Sequence, residues 1–226
     1  MSTDLILEAR ALSRRYGSPG RATTVIDKLD LGVRRGEIVA IIGRSGSGKS
    51  TLLNLIGQMD SPDSGRILYA GTDTTAWNDD ARTRFRCSSL GFVFQSYNLL
   101  PTLTVRENIA LPLELNGLPI GNRATRLMQS LGIAALAERY PEQFSGGEQQ
   151  RTAVARALAH APPLIIADEP TGNLDADTGL EVIALFERAV REAGSALVMA
   201  THSTEMVGHA DRVLMLAHGR LAPVSP

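Results

Sequence analysis

Eight residues, Gly43-Arg44-Ser45-Gly46-Ser47-Gly48-Lys49-Ser50, restrict this chain more than any other stretch of its 226. They match G-x-x-x-x-G-K-[ST], between an apolar run at 37–43 that predicts a buried strand and an apolar helix through Leu52, Leu53, Leu55 and Ile56. Glycines there let backbone N–H groups approach an anion closely, and the following helix presents its positive end. In that setting Lys49 reaches the β- and γ-phosphates of a nucleotide, and the Ser50 hydroxyl is placed to ligate Mg²⁺. Thr51 follows in the first helical turn. A flexible glycine-rich turn fits the same letters, but it does not require a strand before it and a helix after it. Lys49 is also one of two lysines in the chain, the other being Lys28, which sets it apart from ordinary surface lysines.

A second feature is the run Leu164-Ile165-Ile166-Ala167-Asp168-Glu169. An acid closing a buried strand is costly unless it meets a cation. Mg²⁺ held by Asp168 supplies one, and Glu169 can then orient or deprotonate an attacking water. The plainer alternative is that Asp168-Glu169-Pro170 opens a turn or helix.

Around these two motifs the chain alternates. Strands are expected at 5–9, 29–33, 65–71, 90–95, 164–168 and 195–201, and helices at 147–160 and 177–193. A terminal hairpin is expected from 211–217 through His218-Gly219. Between residue 96 and about 144 prolines recur and helical patterns are short (105–110 and 123–131), which suggests an inserted helical sub-domain. Strand–helix alternation implies an α/β fold with a largely parallel sheet covered on both faces, and ligands bind beyond the carboxyl ends of such strands. Gly43, Gln95, Asp168 and His202 all fall at or just past predicted strand ends.

Composition narrows the classes. Hydrophobic residues are 43% and charged residues 21%, as in ordinary globular proteins, and a net charge of -1 offers no basic field for nucleic acid. The single cysteine, Cys87, precludes an intrachain disulfide or a cysteine metal cluster and fits a reducing compartment. Apolar runs such as 38–42 and 164–167 fall far short of the ~20 residues that cross a bilayer. The first ten residues lack a signal-peptide pattern. The expectation is a soluble, cytosolic chain whose membrane work, if any, is done by other polypeptides.

The deciding segment is Phe144-Ser145-Gly146-Gly147-Glu148-Gln149-Gln150-Arg151. Ser145 and Glu148 have capping-box spacing, so a well-capped helix is sufficient to explain it. Two glycines at a helix start also form a second anion site, which is useful if it faces a nucleotide held by another copy. Here the chain resembles the ATP-binding cassette family of transporter ATPases over essentially its whole length, with Phe144–Glu148 in the place of L-S-G-G-Q.

That resemblance implies ATP hydrolysis with Mg²⁺ on a P-loop NTPase fold. The fold is an α/β, RecA-like, mostly parallel sheet with an N-terminal antiparallel β part and an inserted helical sub-domain. One domain of 1–226 then divides into a nucleotide-binding core (1–95 and 151–226) and a helical sub-domain with the signature (96–150). Tyr16 is similar to the aromatic residue stacking on adenine, and Gln95 to the loop glutamine that senses Mg²⁺ and contacts the transmembrane partner. Ser145, Gly146 and Gly147 match the signature that donates to the γ-phosphate across a dimer. Asp175 resembles the aspartate at the dimer seam, and His202 the switch histidine contacting the γ-phosphate. Glu169 takes the place of the catalytic carboxylate. Each has a plainer alternative: loop packing for Tyr16, a surface amide for Gln95, a helix cap for Asp175 and a structural histidine for His202.

Three departures stand out. Glu148 replaces glutamine but keeps the capping geometry, Phe144 replaces leucine, and Asn173 replaces alanine before Leu174-Asp175. The segments Gly91-Phe92-Val93-Phe94-Gln95, 98–104 and 170–175 resemble the group of lipoprotein-releasing, macrolide-efflux and cell-division ATPases. The implied partners are a second copy in an ATP-sandwich dimer and integral membrane permease subunits, without nucleic acid. The implied place is peripheral, on the cytoplasmic face of the inner membrane. A regulatory ATPase of the cell-division type, signalling across the membrane without transport, is the alternative. A soluble cassette acting in repair or translation is disfavoured, because there is one cassette and no heptad insertion.

Overall fold

The computed structural model describes residues 4–18, 21–202 and 207–224. Two long strands, β1 (Leu5–Tyr16) and β2 (Thr23–Arg34), form an antiparallel hairpin, much longer than the sequence pattern alone suggests. With β4 (Ser64–Tyr69) and the short β5 (Thr72–Asp73) they make a four-stranded antiparallel sheet in the order β2-β1-β4-β5. The second sheet has six strands in the order β10-β9-β3-β8-β7-β6. It comprises β3 (Ile38–Ile42), β6 (Leu90–Phe94), β7 (Leu164–Asp168), β8 (Ala196–Ala200), β9 (Arg212–Ala217) and β10 (Arg220–Pro223). All its pairings are parallel except β9 with β10, which a two-residue turn at His218-Gly219 closes with φ 51° and 75° at the two positions.

The central strands are apolar on both faces, and their alternate residues feed two different cores. Ile38 and Ala40, Ile165 and Ala167, and Leu197 and Met199 pack into one cluster with α3 (Val105–Leu115), α4 (Arg123–Ser130), α5 (Gly146–Leu158) and α6 (Ala176–Ala193). Val39 and Ile41, Leu164 and Ile166, and Ala196 and Val198 pack into the other, with α1 (Lys49–Ile56) and the inner face of the antiparallel sheet. Burial on both sides is what a continuous apolar strand requires. The helices in the 96–150 stretch thus share a continuous core with the sheet.

Two local expectations are revised. The helix expected at 105–110 runs on to Leu115 through Pro112, with Ile109 and Leu113 buried on its inner face. A further helix, α2 (Asp79–Ser89), carries no fully buried residue. Its start is the Asn78 side chain accepting from the Ala81 amide, followed by Asp79 and Asp80 in the first turn.

A candidate nucleotide site at the carboxyl ends of the central strands

The chain leaves β3 at Ile42, turns through Gly43–Gly48 and enters α1 at Lys49. Gly48 occupies the N-cap with φ 103°, and no side chain caps α1 among the described residues. The first amides of the helix are therefore available to an anion. A Cβ on Gly48 would lie 2.8 Å from Val25, and one on Gly43 would lie 2.7 Å from Ser47 Oγ. Close packing requires glycine at both positions.

Beside this loop, the chain leaves β7 at Asp168. Glu169 then adopts a left-handed backbone at φ 47°, an uncommon and strained conformation for a bulky residue. Its amide donates to Ala200 O of the neighbouring β8 at 2.9 Å. The turn brings the Glu169 carboxylate back over the phosphate loop, 3.7 Å from Lys49 Nζ. Lys49 Nζ also donates to Gly43 O at 2.9 Å. From the end of β8 comes His202, whose Nδ1 lies 2.8 Å from the other Glu169 oxygen, with its side chain 71% exposed.

Asp168 is half-buried, and the nearby Ser50 hydroxyl favours its charged form. Burial pushes its carboxyl above the usual range and the neighbouring Glu169 charge adds to the effect, while Ser50 and Lys49 oppose it. Among the described residues, Ser47 Oγ is buried with no hydrogen-bond partner. An orphaned hydroxyl, a destabilised carboxylate and an uncapped helix start are what a phosphate chain with a divalent cation would complete.

Gly43, Ser45, Gly46, Ser47, Gly48, Lys49, Ser50, Thr51, Gln95, Glu169 and His202 line one cavity of about 690 Å³. Arg44 is outside this lining, with an exposed side chain. Gln95 is present, but its amide donates to Asn173 Oδ1 at 2.9 Å while Asn173 Nδ2 donates back to Gln95 O at 3.0 Å. Asn173 looks in the sequence like a neutral departure; its bond with Gln95 links two loops that lie 78 residues apart.

Ser145, Gly146 and Gly147 are elsewhere, at the start of α5. The Ser145 hydroxyl donates to Glu148 Oε2 at 2.7 Å and accepts from the Glu148 amide, a complete capping box. Asp175 caps α6 by accepting from the Thr178 amide at 3.0 Å. It lines a second cavity of about 320 Å³ that has Glu169 and His202 in common with the first. Tyr16, at the end of β1, does not line the main cavity; its hydroxyl donates to Asp60 Oδ2 at 2.8 Å.

The family described as ABC transporter matches residues 26–172. An uncharacterized ABC transporter ATP-binding protein of Mycobacterium tuberculosis is 46% identical, the match covering 99% of this chain and 91% of that protein. The lipoprotein-releasing system ATP-binding protein LolD of Maricaulis maris is 44% identical over 99% of both. A solved dimeric, post-hydrolysis ATP-binding cassette bound to ADP and Pi is 35% identical with a TM-score of 0.87, over 97% of this chain and 99% of that one. The chain belongs to the ABC transporter family, as one of its ATP-hydrolysing, ATP-binding cassettes.

Proposed function

We propose that this chain is the motor of an envelope export complex, in which two copies close around two ATP molecules and drive an integral membrane permease. The observation that carries it is the convergence of Lys49, Ser50, Asp168, Glu169 and His202 at the ends of adjacent parallel strands. On this reading Gly43–Ser50 and Thr51 cradle the phosphates, and Lys49 exchanges its contact with Glu169 for phosphate oxygens. Glu169, so released, takes the proton of a water aimed at the γ-phosphorus, while the bond to the β-phosphate breaks and ADP leaves. His202 contacts the γ-phosphate and holds Glu169 in place. Mg²⁺ held by Ser50 and Asp168, with Gln95 adjacent, would neutralise charge on the β- and γ-phosphates when bound. Tyr16 stacks on the base.

Ser145, Gly146 and Gly147 complete the site from the second copy, and Asp175 lies at the seam. The dimeric cassette bound to ADP and Pi supports this arrangement. Residues 1–95 and 151–226 act as the nucleotide-binding core and 96–150 as the arm that transmits closure. A cleft of about 320 Å³ beside that arm includes Phe94, Leu100, Leu111, Leu115 and Arg156, and the permease would dock there. No helix among the described residues is long and apolar enough to cross a membrane, in keeping with a peripheral subunit on the cytoplasmic face. Likeness to a lipoprotein-releasing ATPase supports lipoprotein as cargo, with lipid or drug as the alternatives.

Glu169→Gln keeps the shape and removes the base. It is expected to bind ATP, to dimerise with ATP in light scattering, and to hydrolyse at least ~100-fold more slowly. Parental turnover by that variant would overturn the assignment of Glu169. A specific activity independent of protein concentration down to monomeric dilution would overturn the shared site.

A further inference from the structure

The base-contacting end of the site has a second layer. Tyr16 ends β1 and pairs with Thr23 of β2, two residues from Val25, which packs against Gly48 and lines the phosphate cavity. Tyr16 therefore stands one strand pairing and two residues from the cavity lining, without lining it itself. It is not free there: its hydroxyl donates to Asp60, and the Arg14 guanidinium lies 4.9 Å from its centroid. Arg14 in turn donates to Asp60 Oδ1 and to Asp63 Oδ1, each at 2.9 Å. The Asp60 carboxyl feels burial pushing it up, yet Tyr16, the Ser61 amide and Arg14 together hold it below the usual range.

Asp60 belongs to the loop that ends α1, the helix that begins with Lys49. Gly57 donates to Leu53 O, and Met59 and Asp60 both donate to Asn54 O, so this loop is fastened to the helix by its backbone. We infer that Asp60 and Arg14 are positioning residues that tether Tyr16 to α1, fixing the aromatic platform at a set distance from the phosphate loop. One ring face is taken by Arg14, while 42% of Tyr16 remains exposed to receive a base on the other. The tether makes the site selective for a nucleotide carrying a base over a bare polyphosphate. This rests on the proposal that Tyr16 contacts the base.

The test compares the affinity of the full chain for ATP with its affinity for inorganic tripolyphosphate, both read by displacement of a fluorescent ATP analogue. Tyr16→Ala should weaken ATP by about ten-fold or more, the usual scale of a lost base–aromatic stack, and leave tripolyphosphate unchanged. Tyr16→Phe keeps the ring and loses only the hydroxyl; Asp60→Ala removes the acceptor. Each should weaken ATP by roughly three- to ten-fold with tripolyphosphate unchanged, and the double variant should be no weaker than either single one. A general folding defect would instead weaken both ligands.

If Tyr16→Ala leaves the ratio of the two affinities as in the parent, the base contact itself is wrong and the tether falls with it. If Tyr16→Ala changes the ratio but Tyr16→Phe and Asp60→Ala do not, the base contact stands and the tether is overturned. Fully additive losses in the double variant would also overturn it, since the two groups would then act independently.

Discussion

The two sides of the proposed nucleotide site, the start of α1 and the starts of α5 and α6, are built in opposite ways. At α1 the polar groups are left wanting: a glycine replaces the cap, Ser47 Oγ is buried without a partner among the described residues, and Asp168 is held above its ordinary range by burial. At α5 and α6 they are already satisfied. Ser145 and Glu148 complete a capping box, Asp175 caps α6, and hydrogen bonds hold both carboxylates below their ordinary range. The first end carries its electrostatic cost in the empty chain and recovers it on binding. The second end must give up local bonds before it can donate elsewhere. On this reading, phosphate capture belongs to the single chain, while engagement of Ser145–Gly147 requires a partner.

Asp168→Asn tests the first half of this contrast and carries the largest effect. Hydrolysis should fall at least ~100-fold for want of a metal-holding carboxylate. The nucleotide-free protein should nevertheless be more stable, because a half-buried charge is gone. The pH dependence has a definite sign. A carboxyl raised in the folded state opposes folding fully above its folded pKa, and the penalty disappears as pH falls toward its unfolded value. The melting-temperature gain of the variant should therefore be greatest near neutrality and shrink on acidification. A variant less stable than the parent at neutral pH would break the comparison.

Gly147→Ala tests the second half at intermediate size. A Cβ there would stand 2.5 Å from Thr178 Cγ2, where buried Gly147 meets the first turn of α6. Overpacking of this kind costs about 1–3 kcal/mol, visible as a lowered midpoint in urea, and Thr178→Ser should restore much of it by removing the methyl group. Recovery without ATP-dependent dimerisation would separate the packing role of Gly147 from its role at the seam. If Gly147→Ala leaves the midpoint unchanged, the α5–α6 contact is looser than drawn here.

What the sequence disclosed follows from locality. The phosphate loop, the apolar strand ending in Asp168-Glu169 and the Ser145–Glu148 box are each written within a few consecutive residues, so the pattern carries the geometry. Tyr16 with Asp60 and Gln95 with Asn173 are separated by 44 and 78 residues, and no local pattern announces such pairs. Helix α2 escaped notice because it lacks an apolar stripe. It is held by Arg86 donating to Gln58 O at 2.7 Å, by Arg82 donating to Ser61 and by Phe85 packing against Tyr69 and Trp77. The Asn78 cap with two following acids was the signal that could have revealed it. Strands β1 and β2 outran their apolar segments because their outer halves pair with each other at the exposed end of the hairpin.

Glu148→Gln gives the smallest effect and the finest distinction. The Ser145 hydroxyl and amide both donate to the Glu148 carboxylate, which holds its proton affinity down. Glutamine can still accept through its oxygen, so the cap survives and stability should drop by less than about 1 kcal/mol. A depressed carboxyl contributes above its unfolded pKa and loses that contribution as pH falls through the folded value, so the gap between variant and parent should close in acid. The charge also competes with any phosphate for the Ser145 hydroxyl, and it sits at the start of α5 where the second copy's γ-phosphate is proposed to dock. Removing it should promote ATP-dependent dimerisation, measured as a lower concentration for half-maximal association, while monomeric ATP affinity at Gly43–Ser50 stays unchanged. Weaker association in Glu148→Gln would mean that the carboxylate orients Ser145 for the partner nucleotide, and the satisfied end of the site would then be as prepared for binding as the unsatisfied one.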